Sequence, residues 1–219
     1  MLKIYHRQIL QEALEGKVSP HALEIVIEAN LKQDGLRGQI GHDEYHFDNN
    51  AFDESYAYIE KNHANVRAAL KGGDFEEAWA AFGRLSHTAQ DFYAHSNYIA
   101  LWLAQFDKES VPLPENIDHA DQAIIKSDKL KSGKFYYPLE LLSYIPALKR
   151  YVMPYLPKDS HAWMNIDSPE QGEKFAYAYA AAVKRTENEF ERALAGLSEE
   201  ERDLFLITIT SKESTPAKV

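Results

Sequence analysis

The sequence predicts an all-α protein, and three observations predict it. Ser-Pro pairs that cap and open helices occur at Ser19-Pro20 and Ser168-Pro169. Apolar residues recur at helical spacing, whereas the period-two alternation of half-buried strands is nearly absent. Hydrophobic residues make up 45% of the 219, enough to bury a core without disulfides, and there is no cysteine to form one. No linker, repeat or shift of composition marks a boundary, so residues 1–219 read as a single multi-helix domain.

Taken in order, Ile4, Ile9, Leu10 and Leu14 give a short amphipathic first helix. Ser19 caps a second helix that runs to about Leu31. Residues 33–52 carry Gly35, Gly38 and Gly41 with little periodicity, a long loop of the kind that usually serves function. A third helix spans Asp53 to Leu70 and stops at Gly72-Gly73. Asp74 caps the longest helix, with Glu76 and Glu77 where the macrodipole favours anions, and it continues through Phe92 to about Phe106. Residues 109–118 hold two prolines and read as loop, followed by short helices over Ala120–Leu130 and Leu139–Val152. Ser168-Pro169 opens a long Ala- and Tyr-rich helix, Ser198 and Glu201 form a capping box for the last, and the tail from Lys212 is polar and frayed.

With 34 acidic against 24 basic residues the formal charge is −10. That argues against a general binder of nucleic-acid backbone or anionic membrane, since no basic excess exists to displace counterions. A deep site can still take phosphate if metal ions supply positive charge. The absence of cysteine excludes thiolate metal sites, leaving His and carboxylates. No run is long enough for a membrane span, and the N-terminus, MLKIYHRQIL, does not read as a signal peptide. The chain as written reads as cytoplasmic, with export after removal of a signal as the alternative.

The chemistry concentrates in HTAQDFYAH, where His87, Asp91 and His95 stand four residues apart. Each such step turns a helix by about 40° and climbs about 6 Å, so the three share one stripe. Two imidazoles and a carboxylate suit a borderline divalent metal when sulfur is absent. A polar face of satisfied histidines would show the same spacing, but Leu85, Ala89, Phe92 and Tyr93 indicate a packed helix whose polar groups need partners. One helix cannot enclose an ion, so further donors are sought in His6, in Asp34, His42, Asp43, His46 and Asp48 of the long loop, and in His161 and Asp167. His21, His63 and His119 read as ordinary surface histidines.

The segments YHRQILQEAL, ANLKQD, HFDNNAF and GGDFEEAWAAFGRLSHTAQDFYAHSNY, in that order, resemble the zinc-dependent phospholipase C family, including its Het-C-like branch and the related fungal single-strand nucleases. The resemblance covers about the first hundred residues, and SHAWMNIDSP is similar to the family's later ligand region. It implies a helical domain of the phospholipase C type, with His6, Asp34, His46, His87 and Asp91 as metal ligands and His161 as a further one. The phospholipases have a longer gap, with a proline, after the motif Asp. QDFYAHSNY, with His95 four residues on, is closer to the Het-C-like branch. Those enzymes also use the mature N-terminal amine as a ligand, whereas here five residues precede His6.

The resemblance implies a hydrolase of phosphodiesters or phosphomonoesters, including phospholipid headgroups, in which two or three zinc ions hold the attacking hydroxide. Asp91 would bridge the metals, His87 and His46 would complete one site, His6 and His95 another, and Asp34 would act as ligand or base. Two other readings compete. The His42-Asp43 dyad suggests an HD-type phosphohydrolase, although it follows Gly41 in a loop. Closed coordination would instead make the metal structural, in a non-catalytic interaction protein. A di-iron bundle needs two Glu-x-x-His pairs, and only Glu60-x-x-His63 occurs.

Overall fold

The computed structural model describes residues 1–35, 38, 41–107, 109–143 and 145–206. Among these there are twelve α-helices and no strand. The expected tail from Lys212 lies outside the described residues. We number the helices α1 (Lys3–Leu14), α2 (Pro20–Lys32), α3 (Asp43–His46), α4 (Phe52–Lys71), α5 (Phe75–His95), α6 (Tyr98–Leu103), α7 (Gln122–Ile125), α8 (Leu139–Ser143), α9 (Pro146–Val152), α10 (His161–Met164), α11 (Lys174–Ala195) and α12 (Glu199–Leu206).

Helix α5 is the axis. It packs against α2, α4 and α11, while α1 lies across α2 and α11. From Leu85 to His95 every residue of α5 is buried, so its polar side chains have no recourse to water. Close approach of α2 is made possible by Gly83, where a Cβ would stand 2.3 Å from the Val26 carbonyl oxygen. One turn further along each helix, Asn30 and His87 consequently meet.

The caps that the sequence announces are present. Ser19 Oγ accepts from Ala22 N, Asp74 from Glu77 N, and Ser198 and Glu201 bond reciprocally. The expected loop over 33–52 holds α3, which begins at Asp43 of the His42-Asp43 dyad, and a 3₁₀ turn over Asp48–Asn50. Four boundaries also differ from expectation. The α5 helix ends at His95 rather than near Phe106, because Asn97 turns its amide and side chain to distant chain, the backbone of Lys129 and Lys131. The expected helix over 120–130 contracts to α7, capped by Asp121. Pro146 splits the expected helix 139–152 into α8 and α9, with Ile145 extended before it. Ser168-Pro169 opens only a 3₁₀ turn, whose box closes on Gln171; Gly172 at φ +101° then redirects the chain, and α11 starts at Lys174. At 22 residues α11 is one longer than α5.

His63 corrects the expectation of a surface residue. It lies on the face of α4 that carries Ile59, Val66 and Leu70, and its Nε2 is 2.6 Å from buried Glu189 of α11. His21 is exposed as expected, and His119 is half-buried.

Candidate metal centre

Asp91 stands one turn before the C-terminal end of α5 with both carboxylate oxygens engaged. Oδ1 lies 3.2 Å from His6 Nε2 of α1, and Oδ2 lies 2.9 Å from His46 Nδ1 of α3 and 3.0 Å from His87 Nε2. His6 and His46, distant in sequence, thus converge on the α5 stripe. His6 stacks on His87 with ring centroids 4.3 Å apart. Asp34, after the end of α2, places its two oxygens 3.9 Å from His6 Nε2 and 3.8 Å from His87 Nε2.

His95, one turn beyond Asp91, faces a second set of carboxylates. Asp48 Oδ1 is 3.4 Å from His95 Nδ1 and 2.8 Å from His161 Nδ1, and Asp167 Oδ1 is 3.2 Å from His95 Nε2. The donors therefore form two sets able to hold an ion, His6-Asp34-His87-Asp91 and Asp48-His95-His161. This regroups the expected ligands. His6 shares a set with His87 rather than with His95, and His46 sits between the sets on Asp91. His42 and Asp43 do not join either; His42 pairs with Glu44 and stacks on Tyr45.

The N-terminal amine enters as well, despite the five residues ahead of His6. Met1 N lies 2.6 Å from Asp91 Oδ1, 3.2 Å from Asp167 Oδ1 and 3.4 Å from His95 Nε2. Burial would lower its pKa, but Asp91, Asp167 and Asp34 raise it from the ordinary 8.0 to about 11.

The outer nitrogens of the imidazoles show how the site is built. His6 Nδ1–H donates to Gln90 Oε1 at 2.6 Å and His87 Nδ1–H to Asn30 Oδ1 at 3.3 Å. His46 Nε2–H donates to the Gly38 carbonyl at 3.3 Å, and His95 Nδ1–H to the His46 carbonyl at 3.0 Å. All four acceptors are neutral oxygens that cannot donate, so each fixes a proton on the outer nitrogen, and a neutral ring then holds its lone pair on the inner one. Gln90 is itself held, accepting from Asn30 Nδ2 and donating to Thr186 Oγ1. Asn30 and Gln90 escaped the sequence reading, although a Gln inside so apolar a helix signals a buried amide in need of partners.

Together with the carboxylate, these nitrogens offer a donor set that could hold a cation. His87 Nε2 and His46 Nδ1 stand 3.1 Å apart against the same Asp91 oxygen, and buried His6 Nε2 makes no hydrogen bond. Ligand atoms about 2.0–2.1 Å from a shared tetrahedral ion are about 3.3 Å apart, close to these separations. The charges agree. Burial opposes ionisation of Asp34, Asp48, Asp91 and Asp167, yet the facing imidazoles and the amine hold all four carboxyls below their usual range. Burial, above all, lowers His87 to about 4 and so favours its neutral, ligating form, whereas at His46 and His95 burial is outweighed by the facing carboxylates, Asp91 foremost, which raise both rings. The residues present fit divalent cations.

The loop that delivers His46 and Asp48 is conformationally unusual. Phe47, Asn49 and Asn50 all have φ between +53° and +58°, which costs least for Asn. Surrounding structure imposes it: the Phe47 ring packs edge-on to Phe92, Asn49 Oδ1 accepts from Phe135 N, and Asn50 bonds Ser132 through both backbone and side chain. Opposite, Gly133 lets the chain pass His161, where a Cβ would lie 2.6 Å from the His161 Cα.

No curated protein and no solved structure matches the chain. A family model, that of the VWA7 N-terminal domain, matches residues 5–118, a span that includes His6, Asp34, His46, Asp48, His87, Asp91 and His95 but not His161 or Asp167. This span is more than half of the chain, and the chain belongs to the VWA7 N-terminal domain family.

Proposed function

We propose that this protein is a metal-dependent phosphoesterase, with zinc as its ion, acting on a phosphodiester or phosphomonoester such as a phospholipid headgroup. The observation that carries the reading is the set of three imidazoles, His6, His46 and His87, whose outer nitrogens donate to neutral carbonyl oxygens while their inner nitrogens converge on Asp91. Bound divalent cations would supply Lewis-acid activation of water and neutralise charge on a phosphoryl group. The chain's own residues do the rest. Asp91 presents one oxygen to His6 and the other to His46 and His87, so a single carboxylate addresses neighbouring positions. Asp34, less deeply buried than Asp91 and held ionised, would orient a water and take its proton. Without cations the four carboxylates would repel a phosphate, so activity should depend strictly on metal.

The complete burial of His6, His87 and Asp91 favours a second reading, a closed structural metal. Hydrolysis of bis(p-nitrophenyl) phosphate separates the two. The phosphoesterase reading expects turnover by the zinc-loaded protein, loss on chelation and return with zinc, with Asp34→Asn losing turnover more than zinc. Full zinc occupancy with no hydrolysis of diester or monoester substrates would favour the structural reading instead.

A further inference from the structure

Residues 126–163 lie outside the matched family span and present a surface unlike the rest of the molecule. Here α8 packs on α9 and on α10. Outward, Leu141, Leu142, Ile145 and Leu148 are 38–47% exposed. In the same segment Tyr137, Tyr151, Tyr155 and Trp163 are exposed by 41–77%, while Val152 and Leu156 turn inward. Single exposed apolar side chains are ordinary, but so many in one short segment mark a contact surface.

The same segment holds seven Lys and Arg against three Asp and Glu, a net +4 in a chain of −10. One of the three acids, Glu140, is fully buried and spent on the backbone amides of Tyr136 and Ala162. The cations stand among the rings: Lys158 Nζ is 3.3 Å from the centre of Trp163, and the Arg150 guanidinium is 4.5 Å from that of Tyr151. The total charge, which argues against an anionic surface, thus hides a concentration of positive charge in the segment that carries the exposed apolar side chains.

We propose that this face docks reversibly on an anionic lipid bilayer. Leucine and isoleucine would enter the acyl boundary, Tyr and Trp would sit at headgroup depth, and Lys149, Arg150 and Lys158 would meet lipid phosphates. Among the described residues no helix is long and apolar enough to cross a membrane, so the contact is interfacial. A second copy is the poorer occupant, because protein interface cores are depleted of lysine, whereas here cations are interleaved with the apolar groups. The face is also built onto the metal cluster: Gly133 N donates to the His95 carbonyl, His161 N to the Lys134 carbonyl and Phe135 N to Asn49 Oδ1. Docking would bring the rim of the cluster to the headgroups. It does not rest on hydrolysis, and its test does not require activity.

Co-sedimentation with vesicles of phosphatidylcholine alone, and of phosphatidylcholine with phosphatidylserine, tests this. The protein should bind the mixed vesicles, release as salt rises, and bind the neutral ones far more weakly. Lys149→Glu with Arg150→Glu should lower partitioning by about tenfold or more, since each cation near the surface is worth roughly fivefold. Ile145→Asp with Leu148→Asp should abolish binding, with circular dichroism and zinc content unchanged because all four side chains are exposed. Failure to bind either vesicle, or binding that both double variants retain, overturns the proposal. A wild-type dimer that Ile145→Asp with Leu148→Asp dissolves, without vesicle binding, would assign the face to a second copy.

Discussion

Gln90→Leu removes the amide that holds two sides of the metal centre without touching a proposed ligand. Gln90 is fully buried, and its Oε1 accepts from both His6 Nδ1 and Asn30 Nδ2. Thr186 Oγ1 keeps its bond to the Ala182 carbonyl, so the variant strands two donors rather than three. Each buried donor left unpaired costs about 1–3 kcal/mol. His6 has an escape, because moving its proton to Nε2 lets it donate to Asp91 Oδ1, 3.2 Å away. The net loss should then be the Asn30 share, about 1–3 kcal/mol, or roughly 2–12 °C in melting temperature for a chain of this size. The escape has a functional cost, since the nitrogen meant for the metal now carries a proton. Loss of such an orienting partner weakens metal binding by roughly 10–100-fold. Competition of the purified variant against a zinc-binding dye, with thermal unfolding of the metal-free protein alongside, reads both quantities. Wild-type zinc affinity in Gln90→Leu would refute the claim that outer carbonyl acceptors set the ligating tautomer.

Two further outcomes follow from the packing. Gly83→Ala should cost about 1–3 kcal/mol by forcing α2 from α5, and should weaken zinc binding because Asn30 moves away from His87 with it. An unchanged melting temperature would contradict the 2.3 Å approach at Val26. Glu189 is raised by burial but held by His63, Arg185 and Arg192 from the ordinary 4.5 to about 2. A folded pKa below the unfolded one gives stability that is present above pH 4.5 and lost as pH falls towards 2. Glu189→Gln should therefore be less stable than wild type near neutrality, by on the order of 3 kcal/mol, with the gap closing between pH 4.5 and 2. A pH-independent gap in urea unfolding would refute that assignment.

The helical class and most caps were readable because they depend on neighbours in sequence: Ser19, Asp74 and Ser198 each bond within three residues. The α5 end depends on distant chain. Nothing local stops α5 at His95; Asn97 does so by pairing with residues 129 and 131. The stripe of His87, Asp91 and His95 was visible from helical spacing, and His6 and His46 came with the family resemblance. Which donors share an ion was not visible, since that depends on α1 lying beside α5 and on the loop after α3. Asp48 and Asp167 stand in the sequence among several candidate donors, and only the fold shows that they complete the surroundings of His95. His63 was misplaced because a histidine among charged residues on α4 gives no sign of the Glu189 waiting on α11.

The central claim, that the two His/Asp sets are metal sites sharing the Asp91 neighbourhood, is tested most directly by zinc stoichiometry. Chelator-stripped protein, reloaded with zinc, desalted and assayed by elemental analysis, should retain two zinc ions per chain, about one for each set. His161→Ala should lose one and keep the other, whereas Asp91→Asn should lose the ion of the first set and melt lower as binding linkage disappears. Substoichiometric zinc in the reloaded wild type, or an Asp91→Asn protein with full zinc content and an unchanged melting temperature, would contradict the account.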